Sequence, residues 1–531
     1  MTIPPTIATA DFRQALGDWR KVVGEEWVLT ADADLDPYRD SYSPFAGEAQ
    51  ERRASAVVAP DSVQQVQEVV RVANRHQIPL YPISTGKNLT YGGSAPVYSG
   101  SVVLDLKRMN RILEVSEKNA YALVEPGVSY FDLYRYIREK KLKLWIDCPD
   151  PGWGSLIGNS LDHGAGYTSA PYRDHFEAHC GMEVVLADGE LVRTGMGAMH
   201  NSPTWQQFRY GLGPMVDGIF TQSNFGIVTK MGFWLMPEPE CALWMIALAP
   251  RHDDGPAFID TVASLTYSGL ISSQVFIESP VLGFPMGPEL SALRRKWDAT
   301  RVAGLDAYAS RTGVPFWTAT FALYGPESVV RAKAAHIRAS FERIAGGTVK
   351  DHELVRFPLS DEQVAQLPEK PRFGVPNLAY FQSRFAPEAP VFEGHMDFSP
   401  IVPFDGKTIV EAMSLFDRLL QEGEVAPLGG RAITYHLRAA CMIYAIPVGK
   451  DIRSNQKARA AFSRLMDVAA EHGWGEYRIH PAFMDKGMGL YAFNNNALLR
   501  LHERLKDAID PRGILSAGRY GIWPKHLRKP S

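Results

Sequence analysis

The amino-acid sequence predicts an α+β protein with two domains, and three observations carry that prediction. Strands and helices alternate through the N-terminal half. A strand-turn-strand pattern of hairpin type closes that alternation. A chain of 531 residues, 45% hydrophobic and 22% charged, is long enough to bury more than one core.

The elements follow in order. Residues 55–58, Ser-Ala-Val-Val, read as a strand, and 61–74 as a helix. Ser62 and Gln65 stand at capping-box spacing, and Val63, Val66, Val70 and Ala73 recur at helical period, which packs that helix on the sheet. Residues 80–83 form the next strand, followed by strands at 101–106, 112–115 and 120–125. Pro126-Gly127 turns the chain into a helix over 130–140, with Leu133, Tyr134 and Ile137 on its packed face. Residues 182–186 and 191–194, joined by Ala187-Asp188-Gly189-Glu190, read as the hairpin. From Cys241 onward short apolar strands such as 243–248 alternate with longer helical runs such as 326–344. Pro237-Glu238-Pro239 suits a linker, and glycine-containing motifs return from Gly473.

Composition removes several function classes. The net charge is −3, and the densest positive cluster is Lys525-His526-Leu527-Arg528-Lys529, which reads as a solvated tail, so nucleic acid is not an expected partner. The start, Met1-Thr2-Ile3-Pro4-Pro5, does not read as a secretory signal, and no stretch is long and apolar enough to span a bilayer. The expected location is cytoplasmic, without a membrane partner. Cys148, Cys180, Cys241 and Cys441 are isolated and read as buried small hydrophobes, and no histidines pair at metal-ligand spacing, so no metal site is expected. The first half lacks a Gly-x-Gly-x-x-Gly fingerprint, so a nucleotide here is not held in the Rossmann manner.

The segment 82–93 joins two chemistries. Ser84, Thr85, Gly86, Lys87 and Asn88 can converge successive backbone N–H groups into an anion nest, Lys87 adds a positive charge, and Tyr91 puts a phenol beside it. The same pattern equally fits a strand followed by a glycine-rich turn. A second small-residue constellation runs from Pro151 through Ser155, Gly158 and Asn159 to Gly164-Ala165-Gly166-Tyr167-Thr168, and a third turn enters an apolar strand at Gly226, Ile227 and Val228.

In this order the segments resemble the vanillyl-alcohol oxidase / 4-cresol dehydrogenase family of FAD enzymes over nearly the whole chain. The resemblance rests on Lys87-Asn88 through Tyr91-Gly92-Gly93, Leu156 to Gly166, Arg193-Thr194-Gly195-Met196-Gly197, Gly226 to Lys230, Gly475-Glu476-Tyr477-Arg478 and Ala517-Gly518-Arg519-Tyr520-Gly521-Ile522-Trp523-Pro524. Within the family the pattern is most similar to eugenol oxidase. It implies a PCMH-type FAD-binding domain built from residues 1–239 and 474–531, with a cap over 240–473 made of an antiparallel sheet flanked by helices. Ser84, Thr85, Gly86, Lys87, Asn88, Ser155, Gly158, Asn159, Gly226, Ile227, Val228 and Arg519 are then expected at the cofactor. Relatives are dimers or larger.

The resemblance also assigns roles. His395, in Gly394-His395-Met396-Asp397-Phe398-Ser399-Pro400, aligns with the histidine that carries FAD covalently in the oxidase branch. Tyr91, Tyr477 and Arg478 would hold a para-substituted phenol as phenolate, and Asp150 would act at the benzylic carbon. Tyr167 and Asp397 are expected in the substrate pocket. The implied reaction oxidises para-substituted phenols and returns the electrons to O2 as hydrogen peroxide. Alternatives are a dehydrogenase of the same fold that passes electrons to a cytochrome c-type acceptor, a catalytically silent flavin-binding protein, and an FAD-linked hydroxy-acid dehydrogenase. The last would call for clustered basic side chains that the cap is not expected to offer.

Three departures from the family pattern stand out. Ala439-Ala440-Cys441-Met442 replaces the usual Met-His-His segment, which weakens the oxidase reading. Asp397 stands where relatives carry a small or aromatic residue facing the substrate, which suits a polar or cationic substituent and equally suits a carboxylate facing solvent. Residues 167–175, Tyr-Thr-Ser-Ala-Pro-Tyr-Arg-Asp-His, contain an insertion with an added charge, which would alter the pocket's shape.

Overall fold

The computed structural model describes residues 3–282, 287–296, 298, 300–379, 393–434 and 437–528. Met1, Thr2 and Lys529 of the segments noted above lie outside the described residues. Strands β1 (Val28–Leu29), β2 (Val57–Val58), β3 (Leu80–Ile83) and β4 (Val102–Asp105) form a sheet in the order β1-β2-β4-β3, with β2 and β3 parallel to β4. Parallel neighbours need a crossover, and the helix Val63–His76 supplies it. Its Val63, Val66, Val70 and Ala73 are buried in one cluster with Val58, Leu80, Val102 and Leu104. At its start the Ser62 hydroxyl accepts from the Gln65 N–H at 3.4 Å, but the Gln65 side chain accepts from the Asp61 N–H at 2.9 Å rather than from Ser62. The box therefore closes one residue early.

Next come β5 (Ile112–Ser116), β6 (Tyr121–Val124), β7 (Leu144–Trp145), β8 (His179–Val185), β9 (Leu191–Arg193), β10 (Ile227–Trp234) and β11 (Met236–Pro237). An antiparallel sheet runs β5-β6-β10-β8-β9, and β7 pairs with β11. The expected hairpin is β8-β9, with Glu183 opposite Arg193 and Val185 opposite Leu191.

A third sheet opens at β12 (Cys241–Ala249). It continues with β13 (Phe276–Glu278), β14 (Trp317–Gly325), β15 (Thr348–Arg356), β16 (Gly394–Phe398), β17 (Ile401–Pro403), β18 (Gly430–Ile433) and β19 (Ala439–Val448). Its order is β15-β12-β14-β13-β18-β19-β16, with β17 also on β19. One face carries Met245, Ile277, Phe321, Met396, Phe398, Ala432, Met442 and Ile446 into the largest core, against the helices Gly255–Tyr267, Glu327–Phe341, Gly406–Glu422 and Ile452–Glu471. Side chains alternate along a strand, so Phe276, Ile433, Cys441, His395 and Asp397 belong to the other face.

Two long-range pairings close the architecture. The Leu80 N–H donates to the Ile514 carbonyl at 2.7 Å and the Ser516 N–H to the Leu80 carbonyl at 2.8 Å, so the C-terminal segment returns beside β3. The Tyr477 N–H donates to the Ser399 carbonyl at 3.0 Å and the Ile401 N–H to the Gly475 carbonyl at 2.9 Å, which hangs residues 475–477 on the end of β16. The basic tail is not simply solvated. Arg528 pairs with Asp507 at 2.7 Å and with Glu503 at 3.3 Å. Among the described residues no helix is long and apolar enough to cross a membrane.

Candidate active site

Tyr91, Tyr477 and Arg478 come together from opposite ends of the chain. The Arg478 guanidinium lies 4.8 Å from the Tyr91 ring centre and 4.7 Å from that of Tyr477. Tyr91 ends a single turn of helix, Leu89–Tyr91, and its N–H donates to the Asn88 carbonyl at 3.1 Å. Gly92 follows at φ +91°, and a Cβ there would stand 2.5 Å from Pro481 Cγ, so only glycine lets this loop lie against the 480s. Burial, and then the neighbouring Asp397, push the Tyr91 hydroxyl well above its ordinary pKa, despite Arg478, so it remains a hydrogen-bond donor. The Tyr477 hydroxyl donates to the His163 carbonyl.

Asp397 and His395 reach the same place from β16. His395 Nε2 is 3.3 Å from Asp397 Oδ1, and the imidazole lies against the Tyr42 ring at 5.5 Å. Burial alone would raise the Asp397 carboxyl, but the charges of His395 and Arg478 and hydrogen bonds from His395 and Thr90 outweigh it and hold it below the usual carboxylate range.

Asp150 enters from another segment, close to Tyr167 and Arg431. The Gly152 N–H donates to the Asn377 carbonyl at 2.9 Å, which fixes the 150–152 turn against the cap. Asp150 Oδ1 is buried without a hydrogen-bond partner, and burial raises the carboxyl to about 6, Arg431 opposing and Glu369 assisting. The surrounding wall is aromatic and apolar: Phe276, Ile433, Cys441, Tyr167 and Tyr477 share one cluster, with Tyr167 edge-on to Phe276 at 5.1 Å. Cys441, one of the residues in place of the family's histidines, is fully buried in this wall. The charge added by the 167–175 segment is also placed. Arg173 is buried and donates to the Ser272 carbonyl at 2.8 Å, joining the segment to the cap.

The two small-residue turns lie against each other. A Cβ on Gly158 would stand 2.2 Å from Ser84 Oγ, and one on Gly86, at φ +67°, 2.0 Å from Ser94 Oγ. Lys87 Nζ lies 5.1 Å from the Trp153 ring. Some of the expected cofactor residues have their side chains engaged elsewhere. Ser155 caps the helix Leu156–Leu161 through the Gly158 N–H at 3.1 Å and donates to the Pro126 carbonyl at 2.6 Å. Asn159 Oδ1 lies 2.5 Å from His175 Nδ1, and Ile227 and Val228 are buried in apolar clusters. Gly226 backs onto Val184, where a Cβ would stand 2.5 Å from Cγ1. Close-set glycine turns with the Lys87 ammonium among them fit a large anionic cofactor such as FAD.

Four residues were not singled out from the sequence. Asp162 accepts from Asn88 Nδ2 at 2.5 Å, Arg519 at 2.9 Å and the Tyr520 hydroxyl at 2.9 Å, and its Oδ2 lies 4.0 Å from Arg478 Nη1. It ties the nest, the C-terminal motif and Arg478 together, and its position inside the glycine-rich 156–166 stretch was the available signal. Glu476 precedes the Tyr-Arg pair and accepts from the Ser399 N–H at 2.8 Å. Arg372, with no exposed side-chain surface, lies 4.9 Å from the Phe276 ring, and Arg431 lies 4.5 Å from the same ring. The cap thus does bring two cations to one place, but Arg372 pairs with Glu369, and Arg431 lies 3.6 Å from Glu278.

Comparison with known proteins agrees with this geometry. Residues 54–195 match a model described as an FAD binding domain, and residues 316–520 one described as the C-terminal domain of FAD linked oxidases. The chain is 33% identical to the 4-cresol dehydrogenase [hydroxylating] flavoprotein subunit of Pseudomonas putida, over 98% of this chain and 97% of that one. It is 34% identical to the solved 4-ethylphenol oxidase from Gulosibacter chungangensis in its isoeugenol complex, at a TM-score of 0.87 over 99% and 100% of the two chains. The structure of p-cresol methylhydroxylase with substrate bound superposes at a TM-score of 0.85, with 31% identity over 98% and 99%. The fold, the cofactor-shaped turns and these full-length likenesses make this chain a member of the p-cresol methylhydroxylase / vanillyl-alcohol oxidase family of FAD-dependent, phenol-oxidising enzymes.

Proposed function

We propose that this enzyme is an oxidase of para-substituted phenols, returning electrons to O2 as hydrogen peroxide, with FAD joined covalently to His395. Residues 1–239 and 474–531 would hold the FAD and 240–473 would cover it. The observation that carries the reading is the guanidinium of Arg478 set between the rings of Tyr91 and Tyr477 at 4.8 and 4.7 Å.

Bound FAD supplies the acceptor for a hydride from the benzylic carbon. The protein's part begins with the phenol, which gives up that hydride readily only as phenolate. A free phenol has a pKa of about 10, so ionising it at pH 7 costs about 4 kcal/mol. Charge-assisted hydrogen bonds contribute roughly 1.5–3 kcal/mol each, so two donors on the oxygen suffice. Arg478 offers the charged one and Tyr91, kept protonated, the second. Tyr477 joins them by turning its hydrogen from the His163 carbonyl. Loss of hydride leaves a quinone methide that is electrophilic at the benzylic carbon. Water adds there, its proton goes to the Asp150 carboxylate, and the ring returns to phenolate, held again by Arg478 and Tyr91. The aromatic wall of Phe276, Tyr167 and Ile433 orients the ring and keeps out further water.

The test is Arg478→Ala. Phenol turnover should fall about 10- to 100-fold while flavin stays bound, and near-normal turnover would remove the phenolate site. Peroxide formed from 4-ethylphenol in air supports the oxidase, whereas flavin that stays bleached in air favours the cytochrome-linked dehydrogenase, the second reading, motivated by the 33% identity to a 4-cresol dehydrogenase subunit. Acid-precipitated protein should retain yellow flavin; a colourless pellet refutes the His395 link.

A further inference from the structure

Asp397 introduces a carboxylate at the phenol end of the cavity. Its neighbours on β16, Met396 and Phe398, are fully buried in the cap core, whereas the Asp397 side chain keeps 17% of its surface accessible on the opposite face. Its surroundings are those of the proposed phenol-oxygen site: β16 packs against the turn Leu89–Tyr91, Asp397 Oδ1 lies 3.3 Å from His395 Nε2, Thr90 hydrogen-bonds the carboxylate, and the charge of Arg478 acts on it. An ionised carboxylate has oxygens that only accept. A substrate bound by its phenol oxygen to Arg478 and Tyr91 therefore presents the adjacent ring carbon, ortho to that oxygen, toward a strong acceptor.

We propose that Asp397 is a specificity-determining residue that selects para-substituted phenols bearing a second hydroxyl ortho to the first, that is, 4-alkylcatechols. This rests on the reading of Arg478, Tyr91 and Tyr477 as the phenol-oxygen site. The chemistry separates three ring patterns. An ortho hydroxyl donates to Asp397 and places a proton between two anions that share Arg478. A bare ring leaves the carboxylate facing a C–H edge. An ortho methoxy group sets its lone pairs against the carboxylate and buries that acceptor with nothing to accept from.

The experiment uses holoenzyme and measures the anaerobic rate of flavin bleaching with 4-ethylcatechol, 4-ethylphenol and 4-ethylguaiacol, in the natural protein, Asp397→Asn and Asp397→Gly. The natural protein should favour the catechol over the guaiacol by about 10- to 100-fold in kcat/KM, the discrimination a charge-assisted hydrogen bond supplies, and both variants should lose most of that ratio. Asp397→Asn keeps the side chain's shape, so it decides the matter if the glycine variant does not fold. Equal rates for catechol and guaiacol in the natural protein, or a preference unchanged in Asp397→Asn, overturn the proposal. If 4-ethylphenol and both substituted phenols all fail to bleach the flavin, the phenol site itself is wrong; if all bleach it without preference, that site stands and only the role of Asp397 falls.

Discussion

Replacing Glu476 by glutamine should stabilise the enzyme, and by an amount that depends on pH. One oxygen of Glu476 accepts from the Ser399 N–H at 2.8 Å, and the other is buried with no hydrogen-bond partner. Burial raises this carboxyl from 4.5 to about 8, with Asp397 adding to the rise and the Ser399 N–H opposing it. Below pH 4.5 the group is protonated whether the chain is folded or not. Between 4.5 and 8 the unfolded chain ionises and the folded one does not, so stability drops by about 1.4 kcal/mol per pH unit. At pH 7 the loss is about 3 kcal/mol. Glutamine does not titrate and can still accept from Ser399 through its amide oxygen, so the variant escapes this loss. For a chain of 531 residues the unfolding entropy converts about 3 kcal/mol into about 3 °C. Thermal melts of holoenzyme, followed by flavin fluorescence from pH 5 to pH 8, should show the variant's melting temperature gaining on the natural protein's as pH rises. The new amide N–H2 brings its own desolvation cost, which is independent of pH and moves the whole difference without changing its slope. A difference that stays flat from pH 5 to 8 would refute a neutral Glu476.

Other expectations follow from the same geometry. With the Asp150 carboxyl raised to about 6, its base form predominates above that pH, so the yield of benzylic hydroxylation should fall as pH drops through about 6, and Asp150→Asn should abolish that limb. Gly92→Ala asks an L residue to adopt φ +91° with its Cβ 2.5 Å from Pro481, which costs roughly 1–3 kcal/mol; substrate titration should show a raised KM as the Tyr91 loop shifts, and an unchanged KM would argue against the fit. Asp162→Asn removes the shared counter-charge of Arg519 and Arg478, so phenol turnover should fall about tenfold with flavin largely retained, and turnover equal to the natural enzyme would show that Asp162 does not position Arg478.

Local chemistry made much of this legible. The strands at 80–83 and 112–115, the crossover helix with its valine stripe and the β8-β9 hairpin declare themselves by period and turn residues. The Tyr477-Arg478 pair was visible because it sits in a recognisable motif. Residues whose significance comes from partners distant in sequence were hidden. Asp162 looks like any helix-end aspartate until Asn88, Arg519 and Tyr520 are folded onto it. Arg372 gives no sign in sequence that it will be wholly buried among Glu369, Gln274 and Thr320. Ser155 and Asn159 read as part of a small-residue turn at a cofactor, and the structure adds duties for their side chains: one caps a helix and the other holds His175. Small polar residues in turns serve the backbone first, and spacing alone does not separate that duty from ligand binding.

The charge arrangement at the phenol end bears on how a phenolate is held. Asp162 lies 4.0 Å from Arg478 and is shared with Arg519, and the charges of Asp397, on β16, and Arg478 act on each other. These four side chains carry two positive and two negative charges. A phenolate entering there is not drawn by an excess of positive charge, because none exists among these four. It must be held by short-range donors aimed at its oxygen, from the Arg478 fork and the Tyr91 hydroxyl. Arginine carries five N–H donors, so one fork can serve more than one oxygen at a time. Long-range attraction fades with added salt, whereas direct bonds in a buried cleft do so much less. Phenol binding should therefore change little with ionic strength, while the loss of one donor should cost at least tenfold. That contrast would place the selectivity of the proposed site in the geometry of Arg478, beside which Asp162 stands at 4.0 Å.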